Sequence, residues 1–196
     1  MTKYILVGGY IHKAKDGGKA FCDELVKGFN IGKPVIILDC MFGRSKDSWE
    51  NYLKEDNELF SKYINNFKLE LALPENFTEQ VKKSDIIFLR GGYVSTLFEI
   101  LNKDNSWINE LDGKVLAGTS AGAEVIAKYY HVLSTHRTGD GFGILPIKFI
   151  PHWKSESFED NKQDINYEKV INDLTNYKED LPILTLSEGE FKVYNK

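Results

Sequence analysis

Gly118-Thr119-Ser120-Ala121-Gly122 lies between two segments of different character. Lys114-Val115-Leu116-Ala117 before it reads as a short buried strand, and Ala123-Glu124-Val125-Ile126-Ala127-Lys128-Tyr129-Tyr130 after it reads as a helix with strong formers. A Gly-x-Ser-x-Gly between a strand and a helix is the pattern of a nucleophile elbow. Only small residues fit beside the central serine of so tight a turn, and Ser120 is forced onto an exposed crest. Its hydroxyl then meets the free N–H groups of a helix start, which favour a developing negative charge. The same five residues also suit a plain turn with an N-capping serine. The strand and helix on either side favour the elbow.

Apolar runs alternate with amphipathic segments along the rest of the chain. Strands are expected over 3–9, 34–40, 67–73, 85–89, 114–118, 147–150, 182–186 and 191–194. Helices are expected over 17–29, 45–64, 78–83, 96–102, the stretch after Ser120, and 166–176, with an irregular segment between 130 and 147. Strands apolar on both faces and separated by helices predict a mostly parallel sheet covered on both sides. Such sheets place ligand sites beyond the C-terminal ends of their strands. Gly8-Gly9, Cys40-Met41-Phe42-Gly43, Gly91-Gly92 and the Ser120 turn all leave strand ends, so all are expected at one edge.

Length and composition narrow the classes of function. The chain has 196 residues, 42% hydrophobic and 28% charged, which fits one soluble domain spanning 1–196. A net charge of −4 gives no electrostatic footprint for nucleic acid or an anionic membrane. The apolar runs are too short to span a bilayer, and the first residues lack the apolar core of a signal peptide. A cytoplasmic location is the expectation. Cys22 and Cys40 lack metal-ligand spacing and read as reduced, packed thiols, with Cys40 at a strand end near the presumed site.

A serine nucleophile needs a base and a carboxylate that holds the base in its working tautomer. Of four histidines, His152 in Ile147-Lys148-Phe149-Ile150-Pro151-His152-Trp153 ends a strand and is delivered to the edge that holds Ser120. His12, His131 and His136 have no such placement. Among acids, Glu188 in Leu186-Ser187-Glu188-Gly189 also leaves a strand end, with Asp140 as main rival and Glu124 as third. The oxyanion needs two aimed N–H donors. Ala121 follows the nucleophile, and Gly92 belongs to a glycine pair that lets backbone approach a ligand.

These blocks resemble peptidase family S51, the aspartyl dipeptidase (peptidase E) and cyanophycinase group. The resemblance rests on the strand ending in Gly91-Gly92, the Gly118–Ala123 elbow, Pro151-His152 with Trp153 after it, and Leu186-Ser187-Glu188-Gly189, in that order. It implies a flavodoxin-like three-layer α/β fold related to class I glutamine amidotransferases, with serine as nucleophile. It implies Ser120 as nucleophile, His152 as base, Glu188 as orienting acid and an oxyanion hole from Gly92 and Ala121. An acid between the serine and the histidine has also been assigned in the family, which keeps Asp140 open. Arg90 and Tyr93 stand where relatives usually carry a third glycine and an asparagine around the glycine pair.

The expected activity is that of a serine exopeptidase on short peptides, those with an acidic N-terminal residue among them, without metal or organic cofactor. An α/β-hydrolase-type esterase is the alternative, disfavoured because its histidine comes last, near the C-terminus. A silent amidotransferase-like domain is the third reading. Arginine use adds an expectation about specificity, since only three arginines (Arg44, Arg90 and Arg137) accompany many lysines. Arginine's planar fork suits a carboxylate. At least one is expected to bind substrate, Arg90 and Arg137 ahead of Arg44.

Overall fold

Period-two burial along the central strands decides the layering. In the computed structural model, which describes residues 1–30, 32–155 and 165–196, six strands form one sheet. They are β1 (Lys3–Val7), β2 (Val35–Cys40), β3 (Phe67–Leu71), β4 (Ile86–Leu89), β5 (Val115–Thr119) and β10 (Phe191–Asn195), in the order β10-β1-β5-β4-β2-β3. All pairs are parallel except β1 with β10. Ile5, Val7, Ile37, Ile86, Phe88, Val115 and Ala117 point into one apolar cluster, with Phe21, Cys22 and Leu25 of α1 (Lys19–Val26) and Phe60 of α2 (Trp49–Tyr63). Leu6, Leu38, Ile87, Leu89 and Leu116 point into the other. There they meet α3 (Phe77–Lys83), α4 (Val94–Asn102) and α5 (Ala121–Ile126). The result is the expected α/β sandwich, helices on both faces of a mostly parallel sheet.

The segment after α5 differs from the sequence expectation. Helix was expected through Tyr130, but α5 stops at Ile126 and residues 127–132 form strand β6 (Ala127–Val132). The carbonyls at this junction are taken from outside: Val125, Ala127 and Lys128 accept from the N–H groups of Phe142, Gly143 and Gly141. Lys128 to Val132 then alternates half-buried and buried, the pattern of a strand that is covered on one face. The stretch expected to be irregular contains β7 (Arg137–Asp140), which pairs antiparallel with β6.

β6 and β7 belong to a second sheet with β8 (Leu145–Ile150) and β9 (Ile183–Thr185), in the order β7-β6-β8-β9. Here β6, β8 and β9 run parallel. One face of this sheet contributes Leu145, Ile147 and Phe149 to the main core. The other packs Tyr129 and Ile150 on Val170 and Leu174 of α6 (Tyr167–Thr175). Among the described residues no helix is long and apolar enough to cross a membrane. Both cysteines are buried and unpaired by disulfide, and burial pushes the Cys22 thiol up to about 12 and Cys40 higher still.

Lys148 on β8 is wholly buried, yet its ammonium donates to the carbonyls of Leu174 (2.6 Å) and Thr175 (2.9 Å) at the end of α6. Last-turn carbonyls have no i+4 partner inside the helix; Leu174 O also accepts from Tyr177 N–H (3.2 Å), and the lysine completes the cap of α6 from the neighbouring strand. Lys148→Met keeps the stem but leaves both carbonyls without that donor. It is expected to cost about 1–3 kcal/mol, read as a lower urea midpoint with unchanged slope.

Candidate active site

Ser120 follows β5 directly and has φ 51° and ψ −116°, a backbone conformation that non-glycine residues rarely adopt. The turn is held on both sides. The Ser120 N–H donates to Val7 O (3.0 Å) of β1, and Ser120 O accepts from Ala123 and Glu124 (2.9 Å each), which starts α5. The helix packs so closely on β4 that a Cβ at Gly122 would sit 1.9 Å from Leu89 O. Glycine is therefore required there for close approach, and the strand–serine–helix junction is the elbow expected from sequence.

His152 lies just past β8 and reaches the serine: its Nε2 is 2.9 Å from Ser120 Oγ. Its Nδ1 faces Glu188 Oε1 at 3.4 Å, beyond the end of β9. Sequence reasoning expected all three residues at one edge of one sheet. The structure instead brings histidine and glutamate from the second sheet, and main-chain bonds join the two. His152 N–H donates to Gly8 O (2.8 Å) and Gly189 N–H to Gly9 O (3.2 Å), while Trp153 N–H, donating to Leu186 O (3.0 Å), ties the ends of β8 and β9 together. Gly9, at φ 148°, lies under the imidazole, where a Cβ would fall 2.3 Å from the ring.

Burial of the imidazole lowers the His152 pKa below its ordinary value. The Glu188 carboxylate opposes that shift, and the Lys13 ammonium adds to it. Lys13 Nζ lies 2.7 Å from Glu188 Oε2, so the carboxylate is shared between an ammonium and an imidazole. Gly91 closes the other side of the serine, for a Cβ there would lie 3.1 Å from Ser120 Cβ. Ala121 N–H, at the first position of α5, and Gly92 N–H donate to no protein acceptor among the described residues.

The other candidates lie elsewhere. Asp140 is on the β7 edge strand, where it pairs with Lys178 and accepts from Tyr177 Oη (3.1 Å). Glu124 is buried within α5, and burial pushes its carboxyl up to about 8. His131 is buried with Nδ1 3.1 Å from Thr138 Oγ1. Arg90 is committed to α2: it donates to Tyr52 O (2.9 Å) and Glu55 (2.8 Å), pairs with Asp56 and stacks on the Tyr52 ring. This engagement runs against its expected substrate contact, because its fork is already filled by carboxylates. Arg137 is exposed on β7, at the opposite edge of the second sheet from β9, which leads to Glu188. Arg44 is the arginine beside the site, with Nε donating to Gly91 O at 2.6 Å.

Lys13 and Tyr10 escaped the sequence reading, and Tyr93 entered it only as a departure from relatives beside the glycine pair. The exposed Tyr10 ring lies 5.8 Å from the His152 ring, with the Lys13 ammonium 4.8 Å from its centroid. Tyr93 is 77% exposed immediately after Gly92. A signal was available: Gly-Gly-Tyr occurs twice, at 8–10 and at 91–93, each time after a strand.

The model of peptidase family S51 matches residues 43–195. The chain belongs to that family. Solved structures agree on the fold. A peptidase from an acI-B1 Actinobacterium superposes with a TM-score of 0.72 at 23% identity, covering 99% of this chain and 83% of that one. A protein assigned as peptidase E from Listeria monocytogenes EGD-e gives 0.72 at 15% identity, covering 100% and 98%. No curated protein matches the chain. The S51 match spans Gly91-Gly92, the elbow, Pro151-His152 and Glu188-Gly189, the four blocks that carried the resemblance.

Glu124 supplies a test of the burial around α5. Its folded pKa, about 8, lies above the usual 4.5. Between those values the unfolded chain has lost this proton and the folded chain keeps it, so stability falls as pH rises. Glu124→Gln removes the titration. Urea melts should show a shallower loss of stability from pH 5 to 8 than in the parent, with the variant more stable relative to the parent at pH 8 than at pH 5.

Proposed function

We propose that this S51 chain is a serine exopeptidase that cleaves short peptides through Ser120, His152 and Glu188. The observation that carries this reading is the 2.9 Å approach of His152 Nε2 to the hydroxyl of a serine held at φ 51° on an elbow. The distance is that of a working nucleophile–base pair. Ser120 Oγ attacks the peptide carbonyl carbon as its proton passes to Nε2. Glu188 keeps the other imidazole proton on Nδ1 and stabilises the imidazolium. The carbonyl oxygen, now an oxyanion, accepts from the Gly92 and Ala121 N–H groups. Collapse expels the amine, which takes the proton from Nε2, and water repeats the sequence on the acyl-enzyme. An acidic N-terminal residue is the specificity that membership of this family favours. Lys13, paired with Glu188, tempers the negative charge beside the imidazole and counters the rise that Glu188 alone would give its pKa.

Ser120→Ala deletes one hydroxyl from a turn held by main-chain hydrogen bonds. It is expected to lose at least about a thousandfold in kcat/KM on short peptides and all labelling by a fluorophosphonate, with unchanged circular dichroism. Retained hydrolysis in that variant would sink the reading.

The pH profile offers an independent check. His152 acts as base only when neutral, and burial holds its pKa below 6.5. The neutral form therefore persists into mildly acid solution, and kcat/KM should be flat near neutrality and halve at a pH under 6.5. An acid limb centred above 6.5 would contradict this assignment.

A further inference from the structure

Gly91 and Gly92 share one peptide unit, and the geometry of that unit links an arginine to the oxyanion. No peptide bond among the described residues is cis. In a trans peptide the C=O of one residue and the N–H of the next point in opposite directions. Whatever fixes the Gly91 carbonyl therefore also fixes the Gly92 N–H. The Gly91 carbonyl is fixed by Arg44, whose Nε–H donates to it at 2.6 Å, a short bond from a charged donor.

Arg44 is held in turn from several directions. Its guanidinium lies over the Tyr52 ring, with Cζ 4.7 Å from the centroid. Tyr52 also carries Arg90 at 4.4 Å, which is pinned by Glu55 and Asp56. The Arg44 backbone is tied as well: its carbonyl accepts from Trp49 Nε1 (3.1 Å), and its N–H donates to Met41 O (2.8 Å). The preceding Gly43 carbonyl accepts from Tyr93 N–H (2.8 Å), and a Cβ on Gly92 would lie 2.3 Å from that oxygen. The Gly43–Arg44 turn thus lies in backbone contact with the pair it orients. Among the described residues no carboxylate pairs with Arg44, so its charge is not neutralised by a partner.

We infer that Arg44 is a positioning residue that locks the Gly91–Gly92 peptide with its N–H directed at the oxyanion. The inference rests on the peptidase reading and adds how one of its two donors is preorganised. A pair of glycines is free to rotate its shared peptide, since neither carries a Cβ to oppose the flip. In the flipped orientation the Gly91 carbonyl would face the developing negative charge, which would repel it. The Arg44 bond opposes that flip and polarises the peptide, which strengthens Gly92 as a donor.

The test reads the chemical step without needing the natural substrate. A small fluorophosphonate is attacked by Ser120 Oγ at phosphorus; the hydroxyl proton passes to His152, fluoride leaves, and the phosphoryl oxygen occupies the oxyanion position. Saturation kinetics separate its binding constant from its maximal inactivation rate. Arg44→Met is expected to lower the maximal rate by about tenfold to a hundredfold, with the binding constant within about twofold and the thermal midpoint little changed. If Arg44→Met does not fold, Arg44→Lys, which keeps a cation and the stem, is read in the same way and should lose about tenfold in rate. A maximal rate equal to the parent's in the folded variant overturns the inference while leaving Ser120 as nucleophile. So does a loss confined to binding. Failure of the parent itself to react, against a control serine hydrolase, overturns the peptidase reading and this inference together.

Discussion

The backbone of Ser120 is the constraint around which the rest is arranged. Its φ of 51° and ψ of −116° cost of order 1–3 kcal/mol, so the turn persists only because its surroundings over-determine it. The Val7 carbonyl holds the serine N–H, and α5 rises immediately from the serine carbonyl. Closeness does the remainder. Gly118 and Gly122 face one another so tightly that a Cβ on the first would lie 2.4 Å from the second's carbonyl carbon. With the helix pressed on β4 and β5, the hydroxyl has little choice but the crest, where Gly91 and His152 already wait.

Two sheets share the work. The mostly parallel sheet supplies Ser120 and both glycine-containing loops, and the smaller sheet supplies His152 and Glu188. A site divided in this way depends on how firmly the sheets are joined. Here the joint is main-chain hydrogen bonding through Gly8 and Gly9, neither of which has a side chain to hold the strands apart. The imidazole therefore rests directly on the backbone of the β1 loop. That contact also buries it, which is the first cause of its lowered pKa and keeps it neutral near neutral pH.

Charge is ordered outward from the serine. A neutral imidazole is followed by the Glu188 carboxylate, which is followed by the half-exposed Lys13 ammonium. On the other side, Arg44 and Arg90 share Tyr52, and the Asp56 carboxyl that pairs with Arg90 lies beside a wholly buried Asp39. Burial and the neighbouring Asp56 push Asp39 well above the carboxylate range, so that this aspartate pair presents one negative charge rather than two to Arg90, beside that of Glu55. Arg90, picked out in the sequence as a ligand for substrate, is instead a strut in the scaffold behind the glycine pair.

The α/β alternation, the elbow and the three side chains that meet there, Ser120, His152 and Glu188, were legible in the sequence because each is a local pattern. Strand-like runs, Gly-x-Ser-x-Gly at a strand–helix junction, and His152 and Glu188 just beyond apolar runs need no partner to be recognised. The division into two sheets was not legible. Residues 127–132 contain good helix formers and become a strand because β7 and β8 pair with them and the loop at 141–143 takes the carbonyls at the end of α5. The fates of the arginines were hidden for the same reason. Arg44, Arg90 and Arg137 look alike in sequence, and only the positions of Glu55, Asp56, Gly91 and the β7 edge separate a site-facing cation from a partly buried strut and a surface charge. Covalent pattern thus determined which groups this chain brings to the elbow. Long-range packing decided their partners, because a hydrogen bond or ion pair requires a neighbour that sequence distance does not reveal.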